Sequence, residues 1–474
     1  MRVLFSVNNF GFLRNFEPAL RELAARGHDL HLLAERRDSV GGTRTIENLL
    51  RAHPDRITFS YAPSRKDDYW QPLAVQARLC LDYWRYLDAR YDESPSLRAR
   101  AARQAPAFAS RLPRLPLVGS RLAMRAWDRL FRAIERTMPP GETATRVLAE
   151  HRPDLLLMTP LLYFGSQQVE YARAAKAVGI PCVLGVGSWD HLTTKGRIHE
   201  RPHRVVVWNE FQRDEAAELH GITADMVSVT GAQAYDHWFL QRPSTTREDF
   251  GVKVGVPPDR PLVLYLCSSP FITPYEVGFV RRWIEAVRHA PDPQLRRAAI
   301  LIRPHPQNAA QWADFDPSVF EAVGIWPRAG ANPVDSDARA EYYDSMFHSV
   351  AMVGINTSAL IESGIVGRPV FTVLADEFAG QQEGTLHFKH LQNANGGLLH
   401  VGASMDEHLT QLARAVRGEH DAAKSRAFVE AFVRPHGLDT PAAGKFVEVI
   451  ETTAAAPRPK PVGSSLSSRS AVRS

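Results

Sequence analysis

The chain has 474 residues, of which 44% are hydrophobic and 23% charged. This composition is ordinary for soluble globular domains and excludes collagen, coiled coil or general disorder as the main architecture. The length exceeds what one compact core supports, so we expect two large domains or three smaller ones. The formal charge of +5 mildly favours anionic partners without indicating any particular one.

Neither a membrane span nor an export signal is apparent in the sequence. The apolar run after Met1 ends at Asn8 and Asn9, and this run is too short for a signal-peptide core. No later run reaches the roughly 20 apolar residues that cross a bilayer. Three scattered cysteines form neither a disulfide framework nor a zinc motif and suit a reducing compartment. We therefore expect a cytoplasmic protein, with peripheral contact at the inner face of the membrane left open.

Short apolar runs recur along the chain with helical stretches between them. Continuous rather than alternating apolar character is typical of strands buried on both faces of a parallel sheet. The spacing predicts crossover helices at 16–26 and 209–220. We therefore predict an α/β protein with two Rossmann-like, doubly wound parallel sheets. The predicted strands are 3–7, 30–34, 57–61, 155–159, 183–186, 205–208 and 227–230 in the first half, and 262–267, 300–302, 350–354, 370–374 and 398–401 in the second.

The domain boundary is predicted from composition. Residues 241–260 are rich in proline, glycine and hydroxyl residues and have the character of a linker. The first domain is then 1–240, with a helical insertion at about 64–145, and the second is 261–453. Residues 454–474 carry little that could be buried, and we expect them to be a disordered tail.

Arg303-Pro304-His305-Pro306 directly follows a predicted strand of the second domain. Ligands bind beyond the carboxyl ends of strands in open parallel sheets. Arg303 could bridge two phosphate oxygens, and His305 could donate a hydrogen bond to a third. The alternative is a structural turn in which the arginine pairs with a nearby carboxylate.

Asn356-Thr357-Ser358 follows the next predicted strand, 350–354, and opens a helix. Hydroxyls and unpaired backbone N–H groups at a helix N-terminus favour an anion. Glu362 lies one turn further on and could accept both hydroxyls of a ribose whose phosphates rest on the helix end. The alternative is a plain helix cap with an exposed glutamate. Two such segments at strand ends of one domain favour a nucleotide-phosphate site.

A dense polar run follows the strand 183–186 in the first domain. Trp189 could stack on a sugar face, and Asp190 or, less favoured, His191 could take a proton from an acceptor hydroxyl. Lys195 could offset charge on a leaving phosphate. The alternative is an ordinary polar loop.

Weaker candidates for an acceptor or sugar pocket stand at two other strand ends. Asn9 and Gly11 follow the first strand, where glycine permits close backbone approach. Gln382, Thr385 and His387 follow the strand 370–374, and a solvated loop is an equal alternative there.

We predict no metal and no cofactor. His387 and His390 lack further nearby ligands. Asp335 and Asp337 match an Asp-x-Asp pattern, but their place before a helical stretch favours a helix cap. Walker and Gly-x-Gly-x-x-Gly loops are missing, which removes support for an ATPase or a dehydrogenase.

The pairing of His305-Pro306 after one strand with Thr357-Ser358 after a later one resembles two-domain sugar-nucleotide transferases of the GT-B fold, near CDP-glycerol glycerophosphotransferases and bacterial sialyltransferases. In that branch the histidine and the Ser/Thr pair contact the donor's phosphates. Residues 356–369 also resemble GT-B glycosyltransferases and UDP-N-acetylglucosamine 2-epimerases, in which the helix glutamate holds the ribose. Residues 229–236 resemble the segment that ends the first domain in the same group.

The resemblance implies two domains that face a cleft and a metal-independent glycosyltransferase. The donor would be a nucleotide-diphosphate sugar or a related activated compound. The acceptor would be a hydroxyl, lipid-linked or of the envelope, in cell-surface polysaccharide or glycoconjugate synthesis. Alternatives are a glycerophosphotransferase, a hydrolysing sugar-nucleotide 2-epimerase and a non-catalytic nucleotide-sugar binding protein. The implied donor-binding residues are Arg303, His305, Asn356, Thr357, Ser358 and Glu362, and the implied catalytic residues are Asp190, His191 and His305.

The helical insertion carries a concentrated positive charge. Residues 95–136 contain ten arginines against Asp128 and Glu135, a net charge of +8, with leucines and aromatic residues between them. The pattern fits a helical cap that packs its apolar side on the first domain. It also fits contact with an anionic membrane surface. Nucleic acid binding is the least favoured interpretation of the three, and we expect no nucleic acid to bind.

Overall fold

The computed structural model of the protein describes residues 1–37 and 41–458. These residues divide by their mutual contacts into two compact units: residues 1–234 together with 434–458, and residues 235–433. Each unit is built on one parallel sheet, which confirms the predicted fold class.

The sheet of the first unit has strand order β3-β2-β1-β4-β5-β6-β7 within the described residues, and every pairing is parallel. Val3 and Phe5 pack into one buried cluster and Leu4 into another, so the central strand is covered on both faces. This is why the strands are continuously apolar. The strands are β1 (Arg2–Val7), β2 (Asp29–Ala34), β3 (Ile57–Tyr61), β4 (Leu155–Thr159), β5 (Cys182–Gly185), β6 (Arg204–Val207) and β7 (Val227–Val229).

The sheet of the second unit has the order β10-β9-β8-β11-β12-β13, again entirely parallel. The sequence predicted five of these strands and missed β10. That strand is three residues long, has a glycine at its centre and pairs only with β9 at the sheet edge. The strands are β8 (Leu262–Leu266), β9 (Ala299–Arg303), β10 (Val323–Ile325), β11 (Ala351–Gly354), β12 (Val370–Val373) and β13 (Leu399–Gly402).

The helices connect the strands as crossovers, and the two predicted crossover helices are confirmed as α1 and α10. The first unit contains α1 (Glu17–Ala25), α2 (Gly42–Ala52), α3 (Gln71–Arg85), α4 (Pro95–Gln104), α5 (Ala107–Arg111), α6 (Arg121–Thr137), α7 (Glu142–His151), α8 (Gln168–Ala177), α9 (His191–Thr194) and α10 (Glu210–His220). The second contains α11 (Asp236–Leu240), α12 (Arg247–Val254), α13 (Glu276–Arg288), α14 (Pro293–Arg297), α15 (Ser336–Phe347), α16 (Ala359–Ile365), α17 (Leu386–Asn393), α18 (Met405–Val416) and α19 (Ala422–Phe432). The last helix, α20 (Ala442–Ala455), belongs to the first unit.

The division of the chain differs from the boundary expected at 241–260. The second unit begins at residue 235, and residues from 434 onward return to the first unit. The reason is the apolar face of α20: Phe446, Val447 and Ile450 are buried in the core of the first sheet, with Phe446 5.7 Å from Phe16 between ring centroids. Of the tail expected at 454–474, residues 459–474 lie outside the described residues.

The predicted helical insertion is confirmed. Helices α3 to α6 lie between β3 and β4, and α6 packs on α3 through Trp84 and Phe131, whose ring centroids are 5.0 Å apart in an edge-on arrangement. Among the described residues, no helix is both long and apolar enough to cross a membrane.

Candidate functional site

Three neighbouring strands of the second sheet end in register. Arg303 of β9 pairs with Leu266 of β8, and Leu266 pairs with Gly354 of β11. With strands about 4.8 Å apart, the two outer ends of this row are about 10 Å from each other. The carboxyl ends of the strands therefore bring together the loops predicted to bind phosphate. The residues two positions beyond the row are His305, Ser268 and Asn356.

Ser268 joins these loops. Its hydroxyl accepts a hydrogen bond from the backbone N–H of Asn356 at 3.3 Å. Its carbonyl accepts from the amide of Asn308, in the turn after His305, at 3.2 Å. Ser268 was not among the predicted site residues. The same strand-end rule that singled out His305 would have found it, because Ser268-Ser269 follows the predicted strand 262–267.

Arg303 is buried, with only 6% of its surface exposed. Its guanidinium lies 4.6 Å from the centroid of the Tyr342 ring, and its Nη2 is 3.8 Å from Glu341 Oε1, a long ion pair. Among the residues that the structure describes, none accepts a hydrogen bond from its Nη1. Burial lowers the pKa of Arg303, but a guanidinium remains charged at physiological pH. A buried, charged donor without an acceptor is costly, and an anionic ligand would satisfy it.

Glu362 is also held in this cluster. The hydroxyl of Tyr342 donates to Glu362 Oε2 at 2.6 Å, so Tyr342 connects Glu362 to Arg303. Burial, followed by the nearby Glu362 carboxylate, raises the pKa of Tyr342, which keeps the phenol a donor. A carboxylate offers about four lone-pair sites, which is more than one hydrogen bond occupies. Tyr342, which was not predicted, thus connects two residues that were predicted to bind the nucleotide donor.

His305 caps the turn Pro306–Trp312. Its Nδ1 accepts from the backbone N–H of Gln307 at 3.2 Å. In the neutral imidazole the proton is therefore on Nε2, which is the donor needed for a phosphate oxygen.

The two predicted hydroxyls differ in their surroundings. Thr357 Oγ1 accepts from the N–H of Ala359 at 3.4 Å and so acts as a local cap of α16. Ser358 is exposed at the start of this seven-residue helix. Asn356 is buried, and its amide donates to the carbonyl of Gln381 at 2.5 Å.

The loop that follows β12 is held by hydrogen bonds within the protein. Gln382 is fully buried, and its amide donates to the Val373 carbonyl at 3.1 Å and to Thr372 Oγ1 at 3.2 Å. Thr385 is also fully buried and donates to the Gln382 carbonyl at 2.9 Å. His387 is buried in the first turn of α17. The side chains of Gln382 and Thr385 therefore hold the end of β12, and their polar groups are engaged within the protein.

A buried carboxyl group supports the Ser268 loop. Glu276 accepts from the Ser268 N–H at 2.9 Å, from the Thr273 hydroxyl at 3.0 Å and from the Tyr265 hydroxyl at 3.1 Å. Burial nevertheless raises the pKa of Glu276 to about 8. Glu276 could not be selected from the sequence, because its partners come from a strand and a loop that only the fold brings together.

In the first unit, the loops after β1 and β5 lie side by side. Asn9 Oδ1 accepts from the N–H of Gly11 at 3.0 Å, and Asn9 thereby caps the short turn Phe10–Asn15. The next residue, Phe12, has its ring centroid 5.9 Å from that of His191. Asn9 and Gly11 therefore shape the turn that carries Phe12 to the loop of the predicted base.

The loop after β5 holds Asp190 by two hydroxyls. Asp190 accepts from Ser188 at 2.5 Å and from Thr194 at 2.9 Å. His191 is buried, and burial lowers its pKa to about 4. Burial also lowers the pKa of Lys195. Trp189 is only 5% exposed, which leaves little of its ring face for the predicted stacking on a sugar.

Side chains of the helical insertion hold the loop after β5 by hydrogen bonds to its backbone. Arg85 donates to the carbonyls of Gly196, at 2.6 Å, and Leu192, and Tyr86 donates to the Lys195 carbonyl at 2.7 Å. The insertion therefore positions the candidate acceptor loop. These contacts could not be predicted from the sequence, because the partners are about a hundred residues apart and leave no local pattern.

Among the residues that the structure describes, no group of three or more His, Cys, Asp and Glu side chains is placed so that it could hold a metal ion. Asp335 accepts from the N–H of Ala338 at 2.8 Å, which confirms that it caps α15. Cys80, Cys182 and Cys267 are buried and unpaired.

No protein-family model matches this chain, and no curated protein sequence does. Solved structures do match over nearly the whole chain. The UDP-GlcNAc 2-epimerase of Methanocaldococcus jannaschii has a TM-score of 0.53 at 11% identity, over 95% of this chain and 99% of that chain. A glycosyltransferase of Rickettsia africae has a TM-score of 0.53 at 11% identity, over 96% and 99%. The UDP-GlcNAc 2-epimerase of Neisseria meningitidis, bound to UDP-GlcNAc, has a TM-score of 0.51 at 10% identity, over 95% and 100%.

These likenesses identify the fold. The two Rossmann-like units form the fold of the GT-B type, as the sequence resemblance implied, and that expectation is confirmed at the level of the fold.

Proposed function

We propose that the protein is a glycosyltransferase that moves a sugar from a nucleotide-diphosphate donor to an acceptor hydroxyl. The observation that carries the proposal is the buried Arg303, whose Nη1 finds no acceptor among the described residues, at a strand end beside the His305 loop. Proteins of the same fold are described in complex with UDP-GlcNAc and with UDP, which supports a nucleotide-sugar ligand.

The chemistry assigned to the second unit is stabilisation of the leaving group. When the bond between the anomeric carbon and the phosphate oxygen breaks, the electron pair leaves with the nucleoside diphosphate. Arg303, Nε2–H of His305 and the Ser358 hydroxyl supply donors for the charge that develops there. Glu362 accepts hydroxyls of the ribose, and Tyr342 orients it.

The first unit supplies the base. The acceptor oxygen bonds to the anomeric carbon, and Asp190 takes the proton that it loses. Ser188 and Thr194 orient the Asp190 carboxylate. We propose a lipid-linked or envelope acceptor in cell-surface polysaccharide or glycoconjugate synthesis, with the protein acting in the cytoplasm at the inner face of the membrane.

The test is a melting-temperature screen with UDP, GDP, CMP and CDP. A ligand at 100 times its dissociation constant adds about 2.7 kcal/mol to the free energy of unfolding, which raises Tm by several degrees. We expect one diphosphate to do this for the wild type and for Arg426→Ala, which removes an exposed arginine of α19, but not for Arg303→Ala. If no nucleotide raises Tm, the proposal fails.

Product analysis separates the remaining alternatives. A transferase releases little nucleoside diphosphate from a donor until an acceptor hydroxyl is added. A hydrolysing 2-epimerase releases it from donor alone and yields an epimerised sugar. A binding protein shows the Tm shift and no turnover with any acceptor.

A further inference from the structure

Helix α6 of the insertion has apolar residues on two opposite sides. One side packs inward, where Phe131 contacts Trp84 and Trp127, and Glu135 accepts from the buried Arg78 at 2.6 Å. A helical cap of the first unit needs only this side.

The other side of α6 faces outward. At about 100° per residue, Leu122 lies opposite Phe131 and Leu130 lies about 100° from it, while Ile134, three residues after Phe131, lies about 60° from it at the border of the inward side. Leu122 is 77% exposed, Leu130 46% and Ile134 37%. Ala126 and Ala133 lie between them and are also exposed. The loop that leads into α6 continues the apolar character, because Leu117 is 90% exposed.

Arginines border this apolar stripe along one edge. Only Arg132 has a carboxylate partner there, Asp128, at 2.7 Å. Among the described residues, no carboxylate lies within ion-pair distance of the other four. The stripe thus carries four uncompensated positive charges over four turns. The bordering arginines are Arg121, Arg125, Arg129, Arg132 and Arg136.

We infer that the outer side of α6, meaning Leu122, Leu130, Ile134 and the bordering arginines, docks on an anionic lipid bilayer with the helix in the plane of the interface. A basic amphipathic helix inserts its apolar side at the level of the acyl-chain boundary and leaves its cations among the lipid phosphates. The charge pattern selects this occupant, since a nucleic acid would neutralise the arginines and leave the leucines in water. The inference deepens the proposed place of action at the inner face of the membrane, and its test does not require glycosyl transfer, because none of the proposed donor-binding or acceptor-binding residues lies on this surface.

The test is flotation of the full chain with vesicles of phosphatidylcholine, with or without 30% phosphatidylglycerol. We expect flotation only with the anionic vesicles, decreasing as salt rises. Each neutralised arginine should weaken binding about fivefold. The triple variant Arg121→Glu, Arg125→Glu and Arg129→Glu should no longer float. A matched control, Arg297→Glu, Arg414→Glu and Arg426→Glu, makes the same charge change at exposed positions of the second unit and should float normally.

A second variant tests the apolar part without altering charge. Leu122→Ser with Leu130→Ser should weaken flotation at least tenfold, with an unchanged melting temperature because both side chains are exposed. Absence of flotation of the wild type at low salt overturns the inference, and so does equal loss in the control triple variant. If the serine variant floats as well as the wild type, the leucines do not insert in the bilayer and the inference is overturned. If light scattering shows that the wild type is a dimer and the serine variant a monomer, and vesicles do not bind, the inference is overturned. The outer side of α6 then contacts a second copy of the chain instead.

Discussion

The hydroxyl of Tyr342 donates a hydrogen bond to the carboxylate of Glu362 at 2.6 Å, while the ring of the same tyrosine lies under the guanidinium of Arg303. One aromatic residue thereby holds a carboxylate and a cation in fixed positions. In the proposed site these are the groups for the ribose and for the phosphates of one nucleotide.

The first prediction concerns the ribose. Glu362→Ala should weaken binding of the recognised ribonucleotide at least about tenfold, because its charge-assisted hydrogen bonds from the two ribose hydroxyls are lost. The 2′-deoxy analogue already lacks one hydroxyl and should lose less. Calorimetric titration of both ligands measures the difference. An equal loss for the two would assign Glu362 to the Tyr342 contact alone.

A second prediction concerns the phosphates. Hydrogen bonds to charged groups contribute about 1.5–3 kcal/mol each, so His305→Ala or Ser358→Ala should weaken nucleotide binding about tenfold to a hundredfold. Ser318→Ala, at an exposed turn of the same unit whose hydroxyl donates to Asp316, is the control and should bind normally. Unchanged affinity in both site variants would mean that the phosphates bind elsewhere.

Stability should depend on the protonation of Glu276. Its folded pKa is about 8, against an ordinary value of 4.5, so between these pH values the folded state binds more protons than the unfolded chain. Its contribution is full below pH 4.5 and is lost as pH rises towards 8, by up to about 1.4 kcal/mol per pH unit. Urea denaturation at pH 5 and pH 8 should show a steeper loss for the wild type than for Glu276→Gln. Parallel losses would contradict the raised pKa.

The identity of the base can be read from mutation and pH together. Asp190→Asn should lower kcat by about a hundredfold or more with little change in KM. Burial holds the pKa of His191 near 4, so His191 is neutral from pH 5 to 8 and should give the rate no step near pH 6.5. A clear step there, removed by His191→Gln, would move the role of the base to His191.

The last prediction is that transfer needs no divalent ion, because the proposed phosphate contacts come from an arginine, a histidine and a hydroxyl. Activity should survive excess EDTA. Loss of activity that magnesium or manganese restores would reassign Asp335 and Asp337 from capping to ligation.

The sequence predicted the fold well because burial on both faces leaves a strong local pattern. The strand at residues 57–61 was predicted to the residue, and α1 and α10 to within about one residue at each end. The edge strand β10 escaped prediction because three residues around Gly324 carry too little apolar pattern. The place of α20 escaped prediction because only the packing of Phe446 on Phe16 reveals which sheet it covers.

The candidate site was predicted only in part. Arg303, His305 and Glu362 could be selected because strand ends are visible in a sequence. Tyr342 could not, because it lies inside α15 and acts through Glu362, twenty residues away, and Glu276 could not, because it begins α13 and only the fold brings it to Tyr265 and Ser268. Trp189 was predicted to stack on a sugar because it stands beside polar residues; the fold leaves only 5% of it exposed, and its role stays a prediction.

The return of α20 to the first sheet has a consequence for synthesis on the ribosome. Phe446 contacts Phe16, and a side chain added at Gly185 would come within 3.3 Å of the Phe446 ring, so this part of the core is packed without spare room. Domains usually fold in the order in which they emerge. Here the second unit is complete once residue 433 has left the exit tunnel, whereas the first must wait for the helix ending at residue 455. Until then the apolar residues that α20 covers, including Phe16, are exposed to water. A nascent chain stalled in this interval therefore presents an apolar surface that chaperones would protect.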